Sequence, residues 1–390
     1  MNSMPPIEQS FQIKYDYKLF FTEDLFSVQN PLFADLIKKY NPKNPVKILF
    51  VIDDGVYKNS PDLTKNIKAY CDCYKAHINL TNSLIIPGGE SIKGSYKHVE
   101  DILKAINDNR ICRHSFVIAI GGGAVVDMVG YAAATAHRGV KLIRIPTTVL
   151  AQNDAAVGVK NSVNAFGKKN FLGTFSPPYA IINDKDFLNT LDHREWIAGI
   201  AEAVKVALIK DAEFFNYIEE NALKLRDRDM KSMDYIIYRC AQLHMQHIAQ
   251  GGDPFESGSS RPLDFGHWAA HKLEQMTNYD LRHGEAVAKG MALDLTYAHL
   301  IGLISQSVLD QILNVLQNIG FNLQIPVTKD EELNILLNGL EEFREHLGGE
   351  LTITLINKIG DKHDVHEIDL SKMKEAISML NVLSVQNTSV

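Results

Sequence analysis

The chain has 390 residues, of which 45% are hydrophobic and 22% are charged, and its formal net charge is -7. That length exceeds what one hydrophobic core serves, so two domains are expected, and the mild acidity gives no reason to expect nucleic acid or an anionic membrane as a partner. We find no apolar run of about 18 residues that would predict a transmembrane helix, and the N-terminus lacks the basic and apolar stretches of a secretory signal.

The cysteines indicate a reducing compartment. Their spacing fits neither a disulfide framework nor a four-thiolate zinc site. We therefore expect reduced thiols in a cytoplasmic protein. The four residues are Cys71, Cys73, Cys112 and Cys240.

The first half of the chain alternates between short apolar runs and helix-like segments. The apolar runs are 47–52, 83–86, 116–120 and 142–145, each followed by a Gly, Pro or Asp turn signal, and the helix-like segments are 60–73, 92–108 and 124–136. This alternation is typical of a parallel sheet covered by helices. Ligands of such sheets bind at the carboxyl ends of the strands.

The second half reads as mostly helical. Helical patterns cover 195–210, 212–224, 230–250, 266–277, 283–302 and 306–319, with β character returning only at 351–356. We therefore predict an α/β N-terminal dinucleotide-binding domain with a parallel sheet over 1–190. A mostly α-helical C-terminal domain, binding metal and substrate, is predicted over 191–390.

A glycine-rich turn follows the third apolar run. Gly121, Gly122 and Gly123 precede a small-residue helix, whose N-terminus offers free N–H groups to a phosphate. The pattern departs from GxGxxG, and a purely structural tight turn would also explain it. The pair Gly88-Gly89 and Asp53, each at another predicted strand end, favour the dinucleotide interpretation.

Residues 154–170 form a predicted basic loop containing Lys160, Lys168, Lys169 and Asn170. A solvated charged loop is the simpler interpretation. However, Lys160 stands among small apolar residues, where an unpaired ammonium would be costly. A phosphate-bearing substrate would offset that cost.

Polar residues on three otherwise apolar helices suggest a metal site. His267 and His271 share a helix face, Glu202 and Lys205 are three residues apart on another helix, and His283 opens a third. A self-satisfied Glu–Lys pair and a buried core histidine are the alternatives. A His-His-Glu set with an open position suits a catalytic divalent metal.

Several long motifs, in order, resemble the sugar phosphate cyclases, the family typified by 3-dehydroquinate synthase. They are GGGAVVDMVGYAAATAHRG, PTTVLAQNDAAVGVKNSVN, GKKN, GIAEAVK, DFGHWAAH and RHGEAVAKGM. The resemblance runs from about Asp53 to residue 358. It implies a dinucleotide-binding α/β domain, a helical domain and an active site in the cleft between them.

The resemblance also implies roles for individual residues. Glu202, His267 and His283 would bind zinc or cobalt, while Lys205 and Asp154 would surround the reacting hydroxyls. Phosphate would contact Lys160, Asn170, His271 and, from a partner subunit, Arg138, which implies a homodimer. NAD would contact Asp53, Glu90, Lys93, Gly122, Gly123, Asp127, Thr147, Thr148, Lys169 and Thr190.

The departures from the family pattern concern the substrate's head group. A 3-dehydroquinate synthase binds a carboxylate with cations whose positions here hold Gln246 and Ser260, although Arg261 is adjacent. The usual Asn near the FGH motif is Asp264, and Arg344 is the candidate substitute for a lysine pair. Because a buried unpaired charge is costly, this set suits a neutral polyol head with a phosphate tail.

The stretch GGDPFESGSSRPLDFGHW also resembles the branch of the family that acts on sedoheptulose 7-phosphate, the 2-epi-5-epi-valiolone synthases. By this resemblance we expect a lyase that cyclises a heptulose 7-phosphate, with sedoheptulose 7-phosphate favoured. By the resemblance, NAD would take a hydride and return it, and phosphate would leave by β-elimination. The alternatives are a 3-dehydroquinate synthase in which Arg261 binds the carboxylate, a metal-dependent alcohol dehydrogenase, and a non-catalytic descendant. The predicted catalytic residues are Lys205, Asp154, Lys160, His271 and Asp264.

Overall fold

The computed structural model describes residues 4, 6–255 and 261–387, so the sequence position Ser260 lies outside the described residues. The strands are β1 Lys18–Thr22, β2 Val46–Asp53, β3 Ile78–Ile86, β4 Phe116–Gly121, β5 Lys141–Pro146, β6 Lys160–Ala165, β7 Lys168–Phe175, β8 Ala180–Asp184, β9 Ile353–Lys358 and β10 Asp361–Val365. The helices of the first half are α1 Leu32–Tyr40, α2 Asp54–Asn59, α3 Leu63–Cys73, α4 Tyr96–Asp108 and α5 Gly123–Thr135. Those of the second half are α6 His193–Ala198, α7 Ile200–Lys210, α8 Ala212–Arg226, α9 Met230–Gln250, α10 His267–Met276, α11 His283–Leu300, α12 Gln306–Ile319, α13 Asp330–His346 and α14 Leu370–Asn387.

The predicted parallel sheet is confirmed. In the described part of the chain, six strands form it in the order β1-β8-β5-β4-β2-β3, and every neighbouring pair is parallel. Successive side chains of β2, such as Phe50 and Val51, pack into hydrophobic clusters on opposite faces of the sheet. Because helices cover both faces, the strands are apolar throughout rather than alternating, which is why they were recognisable in the sequence.

The segment predicted as a basic loop is instead a β-hairpin. β6 and β7 pair antiparallel, with Lys160 opposite Phe175 and Ala165 opposite Lys168. Lys160 is exposed at the start of β6, so the expectation that its ammonium is buried among apolar residues is wrong. The alternation of outward and inward side chains along the hairpin removes it from that apolar surrounding.

The remaining differences are strands and helices with weak sequence signals. β1 pairs with β8 at the edge of the sheet, and its five residues carry too short a pattern to read. The helices α13 and α14 were not predicted either. Residues 92–108 divide into a tight 3-10 turn, Glu90–Gly94, and α4.

The second half packs as helices around α11, which is buried along most of its length. Two glycines let α11 approach its neighbours closely. A Cβ on Gly284 would lie 1.8 Å from the carbonyl oxygen of Ala198, and one on Gly290 would lie 2.0 Å from that of Gly266. The architecture changes between Asp184, where the sheet ends, and His193, where α6 begins; we propose residues 190 and 191 as the domain boundary.

No helix within the described residues is long and apolar enough to cross a membrane.

A buried arginine that sequence reasoning missed joins the sheet to the following segment. Arg144 lies inside β5 and is fully buried. Its guanidinium donates four hydrogen bonds at 2.6–3.0 Å, to the carbonyl oxygens of Ala156, Gly158 and Lys160 and to Oδ1 of Asn161. Since this segment follows Asp154, Arg144 fixes the backbone on which a candidate site residue depends.

We expect Arg144→Met to destabilise the fold by at least about 3 kcal/mol, because buried carbonyl oxygens would lose their donors. Lys141→Met is the matched control on the same strand, since the hydrogen bond of Lys141 to the Arg113 carbonyl is exposed, and it should cost about 1 kcal/mol or less. Urea unfolding followed by circular dichroism measures both. Equal midpoints for the two variants would show that the Arg144 contacts contribute little.

Candidate active site

The candidate site lies where the carboxyl edge of the sheet meets the helical half. A π-helical turn, Ala151–Ala155, follows β5 and packs against α7 and α9. Within it, the buried Asn153 donates from Nδ2 to the carbonyl oxygen of Gly199 at 2.9 Å. This turn brings Asp154 from the first half next to side chains of the second.

Three predicted metal ligands come together in this cleft. Nε2 of His267 lies 3.6 Å and Nε2 of His283 lies 3.4 Å from Oε1 of Glu202. One nitrogen or oxygen atom from each residue lies within 4.8 Å of the others. Glu202 lies in the first turn of α7, while the histidines are the first residues of α10 and α11. Helices that are distant in sequence thus supply one compact set of N and O donors.

The surroundings of Glu202 fit a bound cation. The residue is completely buried; its Oε2 contacts the ammonium of Lys205, whereas its Oε1 accepts no hydrogen bond from the described residues. Burial opposes its ionised form, but Lys205 and the two histidines outweigh burial and hold the pKa of Glu202 well below its usual range. A buried anionic carboxylate with open lone pairs is the chemistry that a divalent metal satisfies.

His267 is oriented by its own turn. Its Nδ1 lies 3.0 Å from the carbonyl oxygen of Phe265, which places Nε2 toward Glu202. The neighbouring Gly266 has a φ of +76°, and its N–H donates to Asp294 Oδ2 at 3.0 Å. Asp294 also accepts from Trp268 Nε1 at 2.8 Å. Asp294, on α11, therefore fixes the residues on both sides of this ligand.

His283 lies between two carboxylates. While its Nε2 faces Glu202, its Nδ1 lies 3.3 Å from Oε2 of Glu274, which is 2% exposed. Burial disfavours the charged ring, but Glu274 outweighs burial and raises the pKa of His283 to about 9. A histidine with one nitrogen toward the metal donors and the other on a carboxylate has the usual arrangement of a metal ligand.

Glu274 is a site residue that sequence reasoning missed. Nζ of Lys169, from the hairpin, donates to both of its oxygens at 2.9 Å. The sequence did contain a signal, because Glu274 is seven residues after His267 and three after His271 on the same predicted helix, and such spacings share one face. Its partners on β7 and α11 were visible only in the structure.

Lys205, Asp154 and Asp264 lie beside the metal donors. Nζ of Lys205 contacts Oε2 of Glu202, which also fits the alternative of a Glu–Lys pair. Burial would lower the pKa of Lys205, but Glu202 and Asp154 raise it, with a smaller contribution from Asp264. Lys205 is therefore a fully charged donor inside the cleft at neutral pH.

Asp154 has a second partner that the sequence did not reveal. Nδ1 of His244, on α9, lies 3.0 Å from Oδ1 of Asp154. Burial and Glu202 would raise the pKa of Asp154, but Lys205 and His244 lower it below its usual value. Asp154 is therefore an ionised acceptor, and nothing in the helical pattern of α9 singled out His244.

His271 lies against the ligand rings without joining their set around Glu202. Its ring centroid is 5.4 Å from that of His267 and 6.1 Å from that of His283. Burial, followed by Lys169 and His267, lowers the pKa of His271 well below its usual value. A neutral ring can donate one hydrogen bond and accept another.

The predicted phosphate-binding residues are dispersed within the single chain. Asn170 is exposed, and its Oδ1 accepts from Lys93 Nζ at 2.5 Å and from Ser162 Oγ at 2.9 Å. Arg138 follows α5 and precedes β5, so it lies at the amino edge of the sheet, about 20 Å of helix away from the glycine-rich turn. The structure does not bring Arg138 to His271 of the same chain, while the exposed Lys160 lies on the hairpin.

The predicted dinucleotide residues line the carboxyl edge of the sheet. A Cβ on Gly88 would lie 2.4 Å from Oδ1 of Asp53, and one on Gly121 would lie 2.9 Å from the Cβ of Asp53. Asp53 is buried and accepts from the N–H of Gly55 at 2.8 Å; burial raises its pKa. Gly122 caps the N-terminus of α5 without a side-chain partner. These glycines keep open a cradle that larger residues would fill.

The other predicted dinucleotide residues occupy the same edge or the adjoining hairpin. Lys93 is 3% exposed and donates to Asp127 Oδ2 at 2.8 Å, and Glu90 Oε1 lies 3.8 Å from Lys169 Nζ. The hydroxyl of Thr147 is buried with no hydrogen-bond partner among the described residues. Thr148 Oγ1 accepts from the N–H of Ala151, and the exposed Thr190 donates to Phe187 O.

The predicted head-group residues lie on different elements of the second half. Arg261 is half-buried just before the 3-10 turn Pro262–Asp264, and Gln246 is exposed on α9. Arg344 lies on the outer surface of α13, where it pairs with Glu341 at 2.6 Å. The structure therefore does not bring Arg344 to the metal donors, because its helix face points to solvent.

Comparisons with known proteins agree over both halves. Residues 83–198 match the family model of the 3-dehydroquinate synthase N-terminal domain, and residues 199–339 match that of its C-terminal domain. A 3-dehydroquinate synthase of Shewanella sp. (strain MR-4) is 32% identical over 362 residues, covering 93% of this chain and 96% of that protein.

Solved structures extend the similarity to the fold. ValA, a 2-epi-5-epi-valiolone synthase from Streptomyces hygroscopicus subsp. jinggangensis 5008 with NAD+ and Zn2+ bound, has a TM-score of 0.85 at 29% identity, over 96% of this chain and 99% of that one. A 2-deoxy-scyllo-inosose synthase complexed with carbaglucose-6-phosphate, NAD+ and Co2+ has the same fold, with a TM-score of 0.76 at 23% identity over 93% and 96%. From the two domain matches and the near full-length relative, we conclude that this chain belongs to the 3-dehydroquinate synthase family of sugar phosphate cyclases.

Proposed function

We propose that this chain cyclises a heptulose 7-phosphate, with sedoheptulose 7-phosphate favoured, and eliminates phosphate, using NAD and a divalent metal. The observation that carries the proposal is the buried carboxylate of Glu202, whose Oε1 faces Nε2 of His267 and of His283. The similarity to ValA, solved with NAD+ and Zn2+, supports both cofactors and the substrate class.

The metal would be held by Glu202, His267 and His283. When bound, a divalent ion such as zinc lowers the pKa of a coordinated hydroxyl and favours its oxidation. The chain's own contribution is to keep Glu202 anionic and to hold the three donors close together before an ion binds. Lys205 maintains Glu202 as a carboxylate, and the Phe265 carbonyl keeps Nε2 of His267 available.

NAD would lie along the carboxyl edge of the sheet, over the cradle between Gly88 and Gly121–Gly123. When bound, it accepts a hydride from the substrate and later returns it. Asp53 would accept from ribose hydroxyls, and the uncapped N-terminus of α5 would face a phosphate. The unpartnered hydroxyl of Thr147 is a further donor at this edge.

Lys205 and Asp154 would bind the hydroxyls of the sugar ring. Because Lys205 stays protonated and Asp154 stays ionised, one can only donate and the other can only accept. The pair therefore selects the orientation of adjacent hydroxyls and moves no net charge. His271, being neutral, can donate to the leaving phosphate and stabilise its charge together with Lys160.

A homodimer would complete the phosphate pocket. Arg138 lies at the amino edge of its own sheet, opposite the glycine-rich turn, and is exposed. From that position it would serve the site of a partner subunit rather than its own. Asn170 would contribute through its amide nitrogen, because its oxygen is held by Lys93 and Ser162.

The choice of a neutral head group rests on the residues near the FGH turn. Gln246 replaces a cation, and Asp264 places a carboxylate close enough to Lys205 to affect its pKa. A substrate carboxylate beside Asp264 would be repelled, whereas a hydroxyl would find an acceptor.

The second candidate function is that of a 3-dehydroquinate synthase. It is favoured by the relatives of that name at 32–34% identity. In that case Arg261 would bind the carboxylate of the substrate.

Replacing one metal ligand should remove both metal and activity. We expect His267→Ala to retain about a tenth or less of the wild-type zinc content and to lower phosphate release at least about 100-fold. The control is His299→Gln, because His299 lies at the far end of α11, where its Nδ1 is 3.1 Å from the carbonyl oxygen of Ile304; this variant should keep its zinc content and its phosphate release. Metal analysis and a phosphate assay measure them, and full zinc content in His267→Ala would show that the ligand set is misassigned.

His271 and His267 should behave differently. We expect His271→Gln to keep a full complement of zinc but to release phosphate about 10- to 100-fold more slowly, because only its contact to the leaving group is lost. The same metal analysis and phosphate assay apply. Loss of zinc from His271→Gln would make it a ligand and overturn its assigned role.

A substrate panel distinguishes the candidate functions. We expect phosphate release from sedoheptulose 7-phosphate without net accumulation of NADH, since the hydride returns to the product. The carboxylated substrate of 3-dehydroquinate synthases serves as the comparison, tested with wild type and Arg261→Met. Turnover of the carboxylated compound alone would refute the neutral head group, and steady NADH release would indicate a dehydrogenase.

A further inference from the structure

The carboxylate of Glu274, on α10, connects the proposed metal site to the hairpin. Its carboxylate is 2% exposed and reaches across from α10 to two other elements. Oε2 lies 3.3 Å from Nδ1 of His283, and both oxygens accept from Nζ of Lys169 at 2.9 Å. A buried carboxylate costs several kcal/mol unless it is paired, so these contacts determine where it lies.

His283 needs an acceptor on the nitrogen that faces away from Glu202. A neutral imidazole carries one N–H, and a metal ligand must present its unprotonated nitrogen to the ion. With Nε2 on the side of Glu202, the proton belongs on Nδ1, where Glu274 receives it. We propose that Glu274 is a positioning residue that fixes the tautomer and orientation of His283, and that Lys169 holds Glu274 in place.

Lys169 is suited to this task because it belongs to the other half of the molecule. It extends from β7 of the hairpin, is 12% exposed, and lies 3.8 Å from Glu90. When His283 binds a metal it is neutral, so the charge of Glu274 must then be balanced by Lys169. The hairpin of the sheet half thereby orients a ligand carried by the helical half.

The charge arrangement distinguishes Glu274 from its neighbours. His271, Glu274 and His283 also have donor atoms within 4.8 Å of one another. However, the ammonium of Lys169 occupies both oxygens of Glu274, so this second set is a poor cation site. Glu274 therefore acts on the metal through His283 rather than by direct coordination.

This inference rests on the proposed function, because it assigns His283 as a metal ligand. Zinc affinity, measured by competition with a chromogenic chelator in the absence of substrate, tests it directly. The variants are Glu274→Met, which removes the acceptor at similar size, Glu274→Gln, which keeps an acceptor without charge, and Lys169→Met. The matched control is Glu342→Gln on α13. It removes the ion-pair partner of Lys272, which lies on the same helix α10 as Glu274.

We expect Glu274→Met to weaken zinc binding about 10- to 100-fold, as outer-shell partners of metal ligands do. Glu274→Gln should bind zinc about 3- to 10-fold more weakly than wild type, because an uncharged acceptor makes a weaker hydrogen bond. The zinc affinity of Lys169→Met should lie between that of wild type and that of Glu274→Met. Glu342→Gln should stay within about twofold of wild type. The absorption spectrum of the cobalt-substituted protein should change in Glu274→Met and not in Glu342→Gln.

Wild-type zinc affinity and spectrum in Glu274→Met, or equal losses in Glu274→Met and Glu342→Gln, would overturn the inference. If Glu274→Met does not fold, Glu274→Gln and Lys169→Met decide on the same measurements. The two proposals fail differently. Only the inference is contradicted if the wild type binds zinc, His283→Ala does not, and replacing Glu274 leaves the zinc affinity unchanged. A wild type without zinc or phosphate release contradicts the proposed function.

Discussion

The burial of one carboxylate, that of Glu202, is the constraint on which the rest of the site depends. An anion with no solvent exposure requires polar partners around it, and the fold supplies them from separate helices: the ammonium of Lys205 one turn along α7, and ring nitrogens of His267 and His283 at the starts of α10 and α11. Nearly every other polar residue in the cleft can be understood as balancing or orienting this group. The carboxylate of Asp154 lies near Lys205, and that of Glu274 lies against His283. His244 contacts Asp154, and Lys169 contacts Glu274.

Helix α11 determines the relative positions of His267 and His283. It begins with the proposed ligand His283, and farther along, Gly290 and Asp294 contact the turn that precedes α10 and the proposed ligand His267. Close approach at Gly290 and the two hydrogen bonds to Asp294 therefore set the separation of the two histidines. A site assembled from helix starts depends on the packing of whole helices, so the buried Asp294 on α11 affects the site without contacting the three donors.

The hairpin β6–β7 connects the two halves at the cleft. Lys169 on one side of β7 reaches Glu274, whereas Asn170, the next residue, points to Lys93 and Ser162 in the sheet half. Because neighbouring residues of a strand face opposite sides, one short element contacts both the dinucleotide edge and the metal region. A substrate that contacts this hairpin would therefore be close to residues of both halves.

The sequence by itself determined the sheet-then-helix architecture and the glycine-rich edge, because apolar strands and turn residues leave local patterns. The order of the motifs fixed the family resemblance, and that resemblance implied the proposed ligand set. The sequence did not determine the environment of Lys160, which proved to be exposed on a hairpin, nor the outward direction of Arg344. Arg144, His244 and Glu274 gain their significance from partners that are 9 to 105 residues away in the chain. Only the tertiary structure decides such contacts, since a buried charge is defined by what surrounds it and local sequence does not specify those surroundings.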